Sequence, residues 1–167
     1  MSNSPPPLGP AERTITLLKE IDLDPSIRAL AVPGMTPLDY VKTLISNNHL
    51  PEAIRFLAWA MDRREAVWWA LLCLETVKQP GDPPERSAAQ EAARKWVIDP
   101  SEENRRQAEA AAQAVGFSTP SGSVALAAFW AEGSMAPPRR PTVPPPRKLL
   151  PGAVECALLL AAVKQQP

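Results

Sequence analysis

Proline constrains this chain more than any other residue type, because 21 of its 167 residues are prolines and they are clustered. A proline inside a helix removes a backbone hydrogen bond, whereas one in the first helical turn costs nothing. The prolines crowd into the opening tail, a connector at residues 79–85 and a segment at residues 136–152. The stretches between them are rich in Ala and Leu. We therefore expect helices separated by proline, a disordered tail over residues 1–10 and an extended segment over residues 136–150.

Capping residues mark where several helices begin. In "TPLDYVKTLIS", Thr36 is placed to be the N-cap, Pro37 the first helical residue and Asp39 the third. The apolar residues that then fall on one face are Leu38, Val41, Leu44 and Ile45. Upstream, we expect a helix over residues 12–21 and a second, short helix that begins at Pro25.

Two pairs of neighbouring helices have similar lengths, at residues 51–78 and 85–115. The first pair begins at Pro51, and its apolar side chains recur at helical spacing at Ile54, Leu57, Ala58 and Met61. The second pair has stripes of alanine and is followed by Gly116, a typical residue after a helix C-terminus. A solenoid normally needs about three or more such units. The sequence therefore predicts one irregular all-α bundle of about six to eight helices, built from hairpins, over residues 11–167.

The adjacent tryptophans Trp68 and Trp69 stand in the helix that follows Asp62. Asp62 and Glu65 have the spacing of a capping box at its start. Neighbouring helical residues lie about 100° apart, so the two rings do not share one stripe. Apolar side chains surround the whole helix, which predicts that other helices enclose it and that at least one ring is in the core. The sequence does not decide which ring is buried, and Trp69 is retained as a candidate contact with a partner.

The charge balance argues against nucleic acid and membrane partners. The chain has 18 basic and 18 acidic side chains, so no net field attracts it to DNA, RNA or anionic lipid. The opening "MSNSPPPLGP" lacks the basic and apolar regions of a secretory signal. The apolar run at residues 153–163 is shorter than the roughly 20 residues that span a bilayer. We expect a cytoplasmic protein without membrane insertion.

No residue pattern indicates catalysis. His49 is the only histidine and precedes a helix start, where a solvated side chain is typical. Cys73 and Cys156 lie in apolar runs, which predicts buried, reduced thiols. Metal-ligand spacings, glycine-rich phosphate loops and serine-nucleophile motifs do not occur in the sequence. The sequence therefore predicts a protein that is not an enzyme and binds no cofactor or metal.

The proline-rich segment has two interpretations. Pro138, Pro141 and Pro144 recur every third residue, the period of a polyproline II helix. The basic residues among and after them are Arg139, Arg140, Arg147 and Lys148. Such a segment can dock on an SH3-like domain. The arginines are not at the usual flanking spacing and an apolar helix follows, so a strap across the bundle surface is favoured.

Three blocks of the sequence resemble a known family. They are "EAIRFLAWAMDRREAVWWALLCL", "ARKWVIDPSEENRRQAEAAAQAVG" and "ALAAFWAEGSMAPP…PTVPPP", and the resemblance extends from about Ile15 onward. The family is a bacterial domain of unknown function whose members occur beside type VI secretion genes for spike, tip and adaptor proteins. The resemblance implies a cytoplasmic accessory, adaptor or chaperone-like protein, and it carries over no catalytic residues.

The residues and the resemblance together predict a protein-binding function. The expected partner is a secretion effector or a spike or tip component, bound on a preformed helical surface. The candidate contact residues are Arg63, Arg64, Trp69, Arg139 and Arg140, because Arg and Trp dominate interface hot spots. One alternative is an immunity protein that neutralises a toxin, which would more often carry a net charge opposite to its target. Another is a small ligand-binding or enzymatic module, which requires a polar pocket.

Overall fold

A computed structural model describes residues 9–77 and 83–163 of the chain. Within these residues there are nine helices and no strand, which confirms the all-α prediction. The helices are α1 (Pro10–Glu20), α2 (Pro25–Arg28), α3 (Pro37–Ser46), α4 (Leu50–Ala60), α5 (Arg63–Thr76), α6 (Pro84–Ile98), α7 (Glu102–Val115), α8 (Pro120–Phe129) and α9 (Leu149–Val163). Residues 1–8 of the predicted tail and residues 79–82 of the predicted connector lie outside the described residues. Pro10, which the sequence places in the tail, is the first residue of α1.

The described residues pack as two compact units, which fall within Met1–Ala60 and Met61–Pro167. The sequence predicts one domain, and nothing marks a linker between α4 and α5, where the residues are "AMDRRE" rather than a run of Pro or Gly. In the first unit α4 packs on α3, whereas in the second α5 packs on α6, α8 and α9. The predicted hairpin at residues 51–78 is therefore divided between the two units. The other predicted pair, α6 and α7, does pack together.

Local capping explains where the helices of the first unit begin. Proline is the first residue of α1, α2 and α3, where its fixed φ suits a helix. The Thr36 hydroxyl accepts a hydrogen bond from the Asp39 N–H at 3.3 Å, and the Asp39 carboxylate accepts one from the Thr36 N–H at 3.4 Å. The Asp24 carboxylate caps α2 by accepting from the Ser26 N–H at 2.8 Å. The N-cap predicted at Thr36 and the helix start predicted at Pro25 are both confirmed.

The core of the first unit forms around an aromatic pair. The rings of Tyr40 and Phe56 lie edge to face with centroids 4.7 Å apart, and the Tyr40 hydroxyl donates to the Ile27 carbonyl at 2.9 Å. The buried apolar residues are Leu17, Leu18, Ile21, Leu23, Ile27, Tyr40, Val41, Leu44, Ala53 and Phe56. The predicted buried face of α3 is wrong at its ends, because Leu38 and Ile45 are exposed and Tyr40 is buried instead.

The centre of the second unit is α8. All 10 of its residues are buried, and α5, α6, α7 and α9 pack against it. Its sequence, "PSGSVALAAF", consists largely of small residues, which allow several helices to approach at close-packed distances. The neighbouring helices α6 and α7 bury alanines of their own, namely Ala89, Ala93, Ala108 and Ala112. The aromatic rings buried in this unit include those of Trp96 of α6 and Phe129 of α8.

The prediction that α5 is enclosed on all sides is wrong. Its buried residues form a single stripe that consists of Ala66, Val67, Ala70, Leu71 and Leu74, and α6, α8 and α9 pack on α5. Trp68 keeps 38% of its surface exposed, Leu72 keeps 43%, and Trp69 is half-buried. Neither ring of the adjacent pair is therefore a core residue. Asp62 is the N-cap, but its side chain makes no capping hydrogen bond, so the predicted capping box does not form.

Hydrogen bonds of backbone groups hold the proline-rich segment, and we call residues 136–148 the proline strap. The Met135 N–H donates to the Val143 carbonyl at 2.8 Å, and the Val143 N–H donates to the Ser134 hydroxyl at 3.0 Å. These bonds tie the strap back to the residues that precede it. Most strap side chains are exposed. The extended segment ends earlier than predicted, because α9 begins at Leu149 rather than near Pro151.

The most apolar stretch of the chain lies in α9, which is 15 residues long. Its buried residues are Leu150, Pro151, Ala153, Val154, Ala157, Leu158 and Ala161, and it packs on α5 and α8. This agrees with the prediction of a terminal helix inserted into the core. None of the helices in the described part of the chain is long and apolar enough to cross a bilayer.

Candidate functional site

The guanidinium groups of Arg63 and Arg64 are bound to the ends of other helices. Arg63 Nη1 donates to the carbonyl of Ala131, shortly after α8 ends. Arg64 Nε donates to the carbonyl of Val97 and its Nη2 to that of Ile98 at 3.2 Å, the last residues of α6. A cation at a helix C-terminus satisfies carbonyls that lack an intrahelical partner and offsets the helix dipole. Both arginines therefore stabilise the fold, and their contact with a partner stays a prediction.

The two strap arginines of the predicted site are exposed. Arg139 has a φ of +67°, a left-handed conformation that non-glycine residues seldom adopt. The Arg140 N–H closes a turn by donating to the Pro137 carbonyl at 3.2 Å. Within the described residues, neither side chain forms a hydrogen bond or ring contact with the predicted contact residues of α5. Direct contacts thus do not join the predicted residues into one site.

A different set of side chains comes together on the outer side of α5 and α6. The guanidinium of Arg94 lies 5.5 Å from the centroid of the Trp68 ring, within cation–π range. Arg94 also pairs with the carboxylate of Glu75 and, at 3.4 Å, with that of Glu91. Leu72 is exposed one turn after Trp68. We call Trp68, Leu72, Glu75 and Arg94 the α5 face.

The α5 face combines exposed apolar surface with charges that are already held in place. A tryptophan can bury about 150–250 Å² at an interface. Because Arg94 is stacked on the ring of Trp68 and paired with two carboxylates, it loses less conformational entropy when a partner binds. Sequence reasoning named Trp69 and missed Trp68, because the apolar pattern of α5 did not show which side its neighbours cover. The pairing of Trp68 with Arg94 joins two helices and has no local sequence signal.

Sequence reasoning also missed Arg105 of α7, a charged side chain that is only 1% exposed. Its Nη1 donates to the Phe129 carbonyl at 2.8 Å and its Nη2 to the Ser134 carbonyl at 2.9 Å. Its Nε and Nη2 also bind the two carboxylate oxygens of Glu102 at 2.6 and 2.7 Å. A Cβ at Gly133, whose φ is +72°, would lie 2.8 Å from Arg105 Nε, so glycine lets the backbone approach the guanidinium. In the sequence, Glu102 and Arg105 have the spacing of an ordinary i, i+3 surface ion pair.

Arg106 extends the same contacts to the start of the proline strap. Its Nη2 donates to the carbonyls of Ser134 at 2.8 Å and Ala136 at 2.6 Å. Its Nε and Nη1 bind the carboxylates of Glu102 at 2.9 Å and Glu109 at 3.0 Å. We call Glu102, Arg105, Arg106 and Glu109 the α7 network. The network fastens the segment between α8 and the strap to α7.

The α7 network makes the stability of the second unit depend on pH. Hydrogen bonds from Arg105, and further ones from Arg106, lower the pKa of Glu102 from 4.5 to about 2. A carboxyl whose pKa is lowered by folding stabilises the protein above its unfolded pKa and loses that contribution as pH falls through the folded value.

We therefore expect the denaturant midpoint to decrease between about pH 4.5 and pH 2, and Glu102→Gln to reduce this decrease. Glu103→Gln is the control, since its carboxylate accepts from Gln107 at 3.3 Å; equal pH profiles for the wild type and Glu102→Gln would contradict the assignment.

The prediction that both cysteines are buried is wrong. Cys73 is half-buried, and burial raises the pKa of its thiol. Cys156 is exposed because it lies away from the buried stripe of α9, with its Sγ 3.6 Å from the Ser123 hydroxyl. His49 is half-buried in the turn before α4. Over residues 9–77 and 83–163, no group of three or more His, Cys, Asp or Glu side chains has the arrangement to hold a metal ion.

The fold and the α5 face define an all-α protein whose second unit, centred on a small-residue helix, exposes an aromatic and charged surface. The chain belongs to DUF6931, a family of unknown function, whose model matches residues 40–167. This confirms the resemblance to a family of unknown function. The match begins within α3 and includes the α5 face and the α7 network. No curated protein and no solved structure matches the chain.

Proposed function

We propose that this protein is a non-enzymatic adaptor or chaperone-like accessory protein of a bacterial type VI secretion system. Its partner is a secretion effector or a spike or tip component, which it binds in the cytoplasm. The α5 face is the observation that carries the binding part of the proposal. Trp68 and Leu72 are exposed beside an arginine that is already stacked and paired, and Trp and Arg are the residues most enriched in interface hot spots.

The surroundings of the α5 face support binding without rearrangement. The inner stripe of α5 packs on α6, α8 and α9. Arg64 in the first turn of α5 binds the terminal carbonyls of α6. Arg94 of α6 in turn pairs with Glu75 near the end of α5. Because both ends of α5 are tied to α6, the face keeps its shape, and a preformed surface pays less ordering entropy on binding.

The secretion role is supported by the sequence resemblance. The block "REAVWWA" contains Trp68 of the α5 face, and the block "KWVIDP" contains Trp96 of the core. The resemblance in these blocks implies a gene beside those of the secretion apparatus, and an accessory protein encoded there would act on the proteins of that apparatus. One block thus contributes to the proposed surface and the other to the bundle that supports it.

The use of the buried charge supports a non-enzymatic role. A catalytic group has to reach a reacting atom of the substrate. The donors of Arg105 are instead directed to Glu102 and to the carbonyls of Phe129 and Ser134. The one charged side chain buried in the described residues therefore serves the fold.

We expect Trp68→Ala to weaken partner binding by about tenfold or more, because it removes the central apolar contact of the α5 face. The free energy of unfolding should fall by only about 1 kcal/mol, since the ring is already 38% exposed. Affinity purification of the tagged full chain from its source bacterium, quantified by mass spectrometry, measures the first effect, and thermal unfolding measures the second.

Ile98→Ala is the matched control, because Ile98 is an exposed apolar residue of α6 that lies outside the α5 face. It should leave partner recovery unchanged. Equal recovery with wild type and Trp68→Ala would show that the partner binds elsewhere. Recovery of general folding chaperones without any secretion component would contradict the secretion role. Trp69→Ala tests the residue named from the sequence, and its half-buried ring should affect melting more than binding.

A further inference from the structure

The first unit carries an apolar groove that its own core does not fill. The groove lies between α1 and the loop that joins α2 to α3, and it has a volume of about 300 Å³. Its principal lining residues are Ile15, Leu18, Lys19, Arg28, Val32 and Met35. All of them precede residue 40, where the match to the family begins. The groove therefore belongs to the part of the chain that the family model does not cover.

The floor of the groove is continuous with the core, whereas its walls are exposed. Leu18 is buried and Met35 packs against the core cluster. On the two sides, Ile15 of α1 is 52% exposed and Val32 of the loop is 56% exposed. Exposed apolar side chains that face each other across an apolar floor resemble the binding grooves that receive the apolar residues of a partner helix or peptide.

The loop wall has a defined shape before anything binds. The Met35 N–H donates to the Val32 carbonyl at 3.2 Å, which closes a turn with Pro33 and Gly34 at its central positions. Gly34 has a φ of +83°, as the third residue of a type II turn requires. Proline fixes φ at the second position of this turn, and glycine adopts the positive φ of the third position without strain. Val32 is thus presented by a hydrogen-bonded turn.

The charged part of the lining is cationic. Lys19 in the last turn of α1 and Arg28 at the end of α2 both line the groove, and no Asp or Glu of the described residues does. Arg28 is held in place because its Nη2 donates to the carbonyls of Ile21 at 3.2 Å and Leu23 at 3.4 Å. In a chain with no net charge, two cations beside an apolar groove select for carboxylates on whatever enters it.

We propose that this groove binds an acidic amphipathic segment of a partner protein. Apolar side chains of the segment pack between Ile15 and Val32 on the floor formed by Leu18, and its carboxylates pair with Lys19 and Arg28. The proposal goes beyond the adaptor function, because it concerns a second surface on the other unit and does not depend on the α5 face. An adaptor with two chemically different surfaces can hold two different ligands.

Two synthetic helical peptides test the groove against the ¹⁵N-labelled full chain. One carries leucines along one face and glutamates beside them, and the other has lysines in place of the glutamates. We expect the acidic peptide to shift the amide resonances of residues 14–19 and 28–35 and to bind about tenfold more tightly than the basic one. Lys19→Glu should remove this preference, and Ile15→Asp should weaken binding of the acidic peptide by about tenfold.

Ile45→Asp is the matched control, because Ile45 is also half-exposed in the first unit, on α3, and does not line the groove. It should leave peptide binding unchanged, and the thermal melts of all variants should match. Equal binding of the two peptides, or shifts outside the groove, would overturn the proposal. Self-association of the wild type that Ile15→Asp abolishes would overturn it in favour of a second copy of the chain. Trp68→Ala should leave peptide binding unchanged, so failure of this proposal and failure of the adaptor function are distinguishable.

Discussion

Arg105→Met is expected to lower the free energy of unfolding of the second unit by about 3–5 kcal/mol, a large fraction of the stability of a typical domain. The substitution removes a guanidinium that is 1% exposed and leaves the Phe129 carbonyl without its donor from α7. It also removes one of the two arginines that bind the carbonyl of Ser134, shortly before the strap begins. Denaturant unfolding followed by tryptophan fluorescence measures the effect. Four of the five tryptophans, Trp68, Trp69, Trp96 and Trp130, are in the second unit.

Arg106→Met is the comparison that isolates burial. Arg106 binds the same glutamate and the same serine carbonyl, but its side chain is more exposed than that of Arg105. Water can therefore take the place of Arg106 in some of its hydrogen bonds. The expected loss in the free energy of unfolding is about 1–2 kcal/mol. Equal losses for the two variants would show that burial of Arg105 is not the source of its effect.

Gly122→Ala is expected to destabilise the second unit by about 2–4 kcal/mol. A Cβ at this position would lie 2.1 Å from the carbonyl oxygen of Gly116 and 2.9 Å from the hydroxyl oxygen of Thr119. The nearer of these atoms is backbone and cannot move aside cheaply. The Thr119 hydroxyl also caps α8 by accepting from the Gly122 N–H at 3.0 Å. The backbone displacement that an added Cβ requires would break that bond. Thermal unfolding of the full chain is the measurement.

Gly152→Ala is the matched control, because Gly152 is also near the start of a helix, in α9. A Cβ there would meet nothing within 4 Å. Replacing an unconstrained helical glycine by alanine should raise the free energy of unfolding by about 0.5–1 kcal/mol. A loss of stability in both variants would show that the close approach of α8 to Gly116 is not the source of the effect of Gly122→Ala.

Helix starts were predictable from the sequence because capping is local chemistry. Thr36 with Asp39, and proline at the first helical position, act through atoms within one turn of the chain. The start of α2 at Pro25 and the end of α7 before Gly116 follow from the same kind of signal. These predictions held because no distant residue has to be known to make them.

The buried faces of the helices were less predictable. On α4 the apolar spacing indicated Ile54, whereas the structure buries Ala53 and Phe56. On α5 the apolar residues extend around more of the helix than the neighbouring helices cover, so Trp68 is left exposed. When a helix carries more apolar residues than one neighbouring face can cover, its periodicity does not say which of them are buried.

The candidate sites depended on tertiary contacts. Arg105 is buried because the Phe129 and Ser134 carbonyls and the glycine backbone at residue 133 come together around it. Trp68 meets Arg94 because α5 and α6 pack side by side. No spacing in the sequence predicts the contacts of Arg105 with these carbonyls or that of Trp68 with Arg94. A charged residue on a polar helix face is normally solvated, and only the surrounding backbone reverses that expectation.

The sequence by itself determined that the chain is helical and where most helices begin and end, since proline, N-cap and C-terminal glycine signals act within a single turn. The tertiary structure decided the division into two units, the exposure of Trp68, the burial of Arg105 and the cationic groove beside Lys19. These features depend on which helix faces meet, and that is set by packing among residues far apart in the chain. Local signals specify the elements, whereas the binding surfaces are what the packing of those elements leaves uncovered.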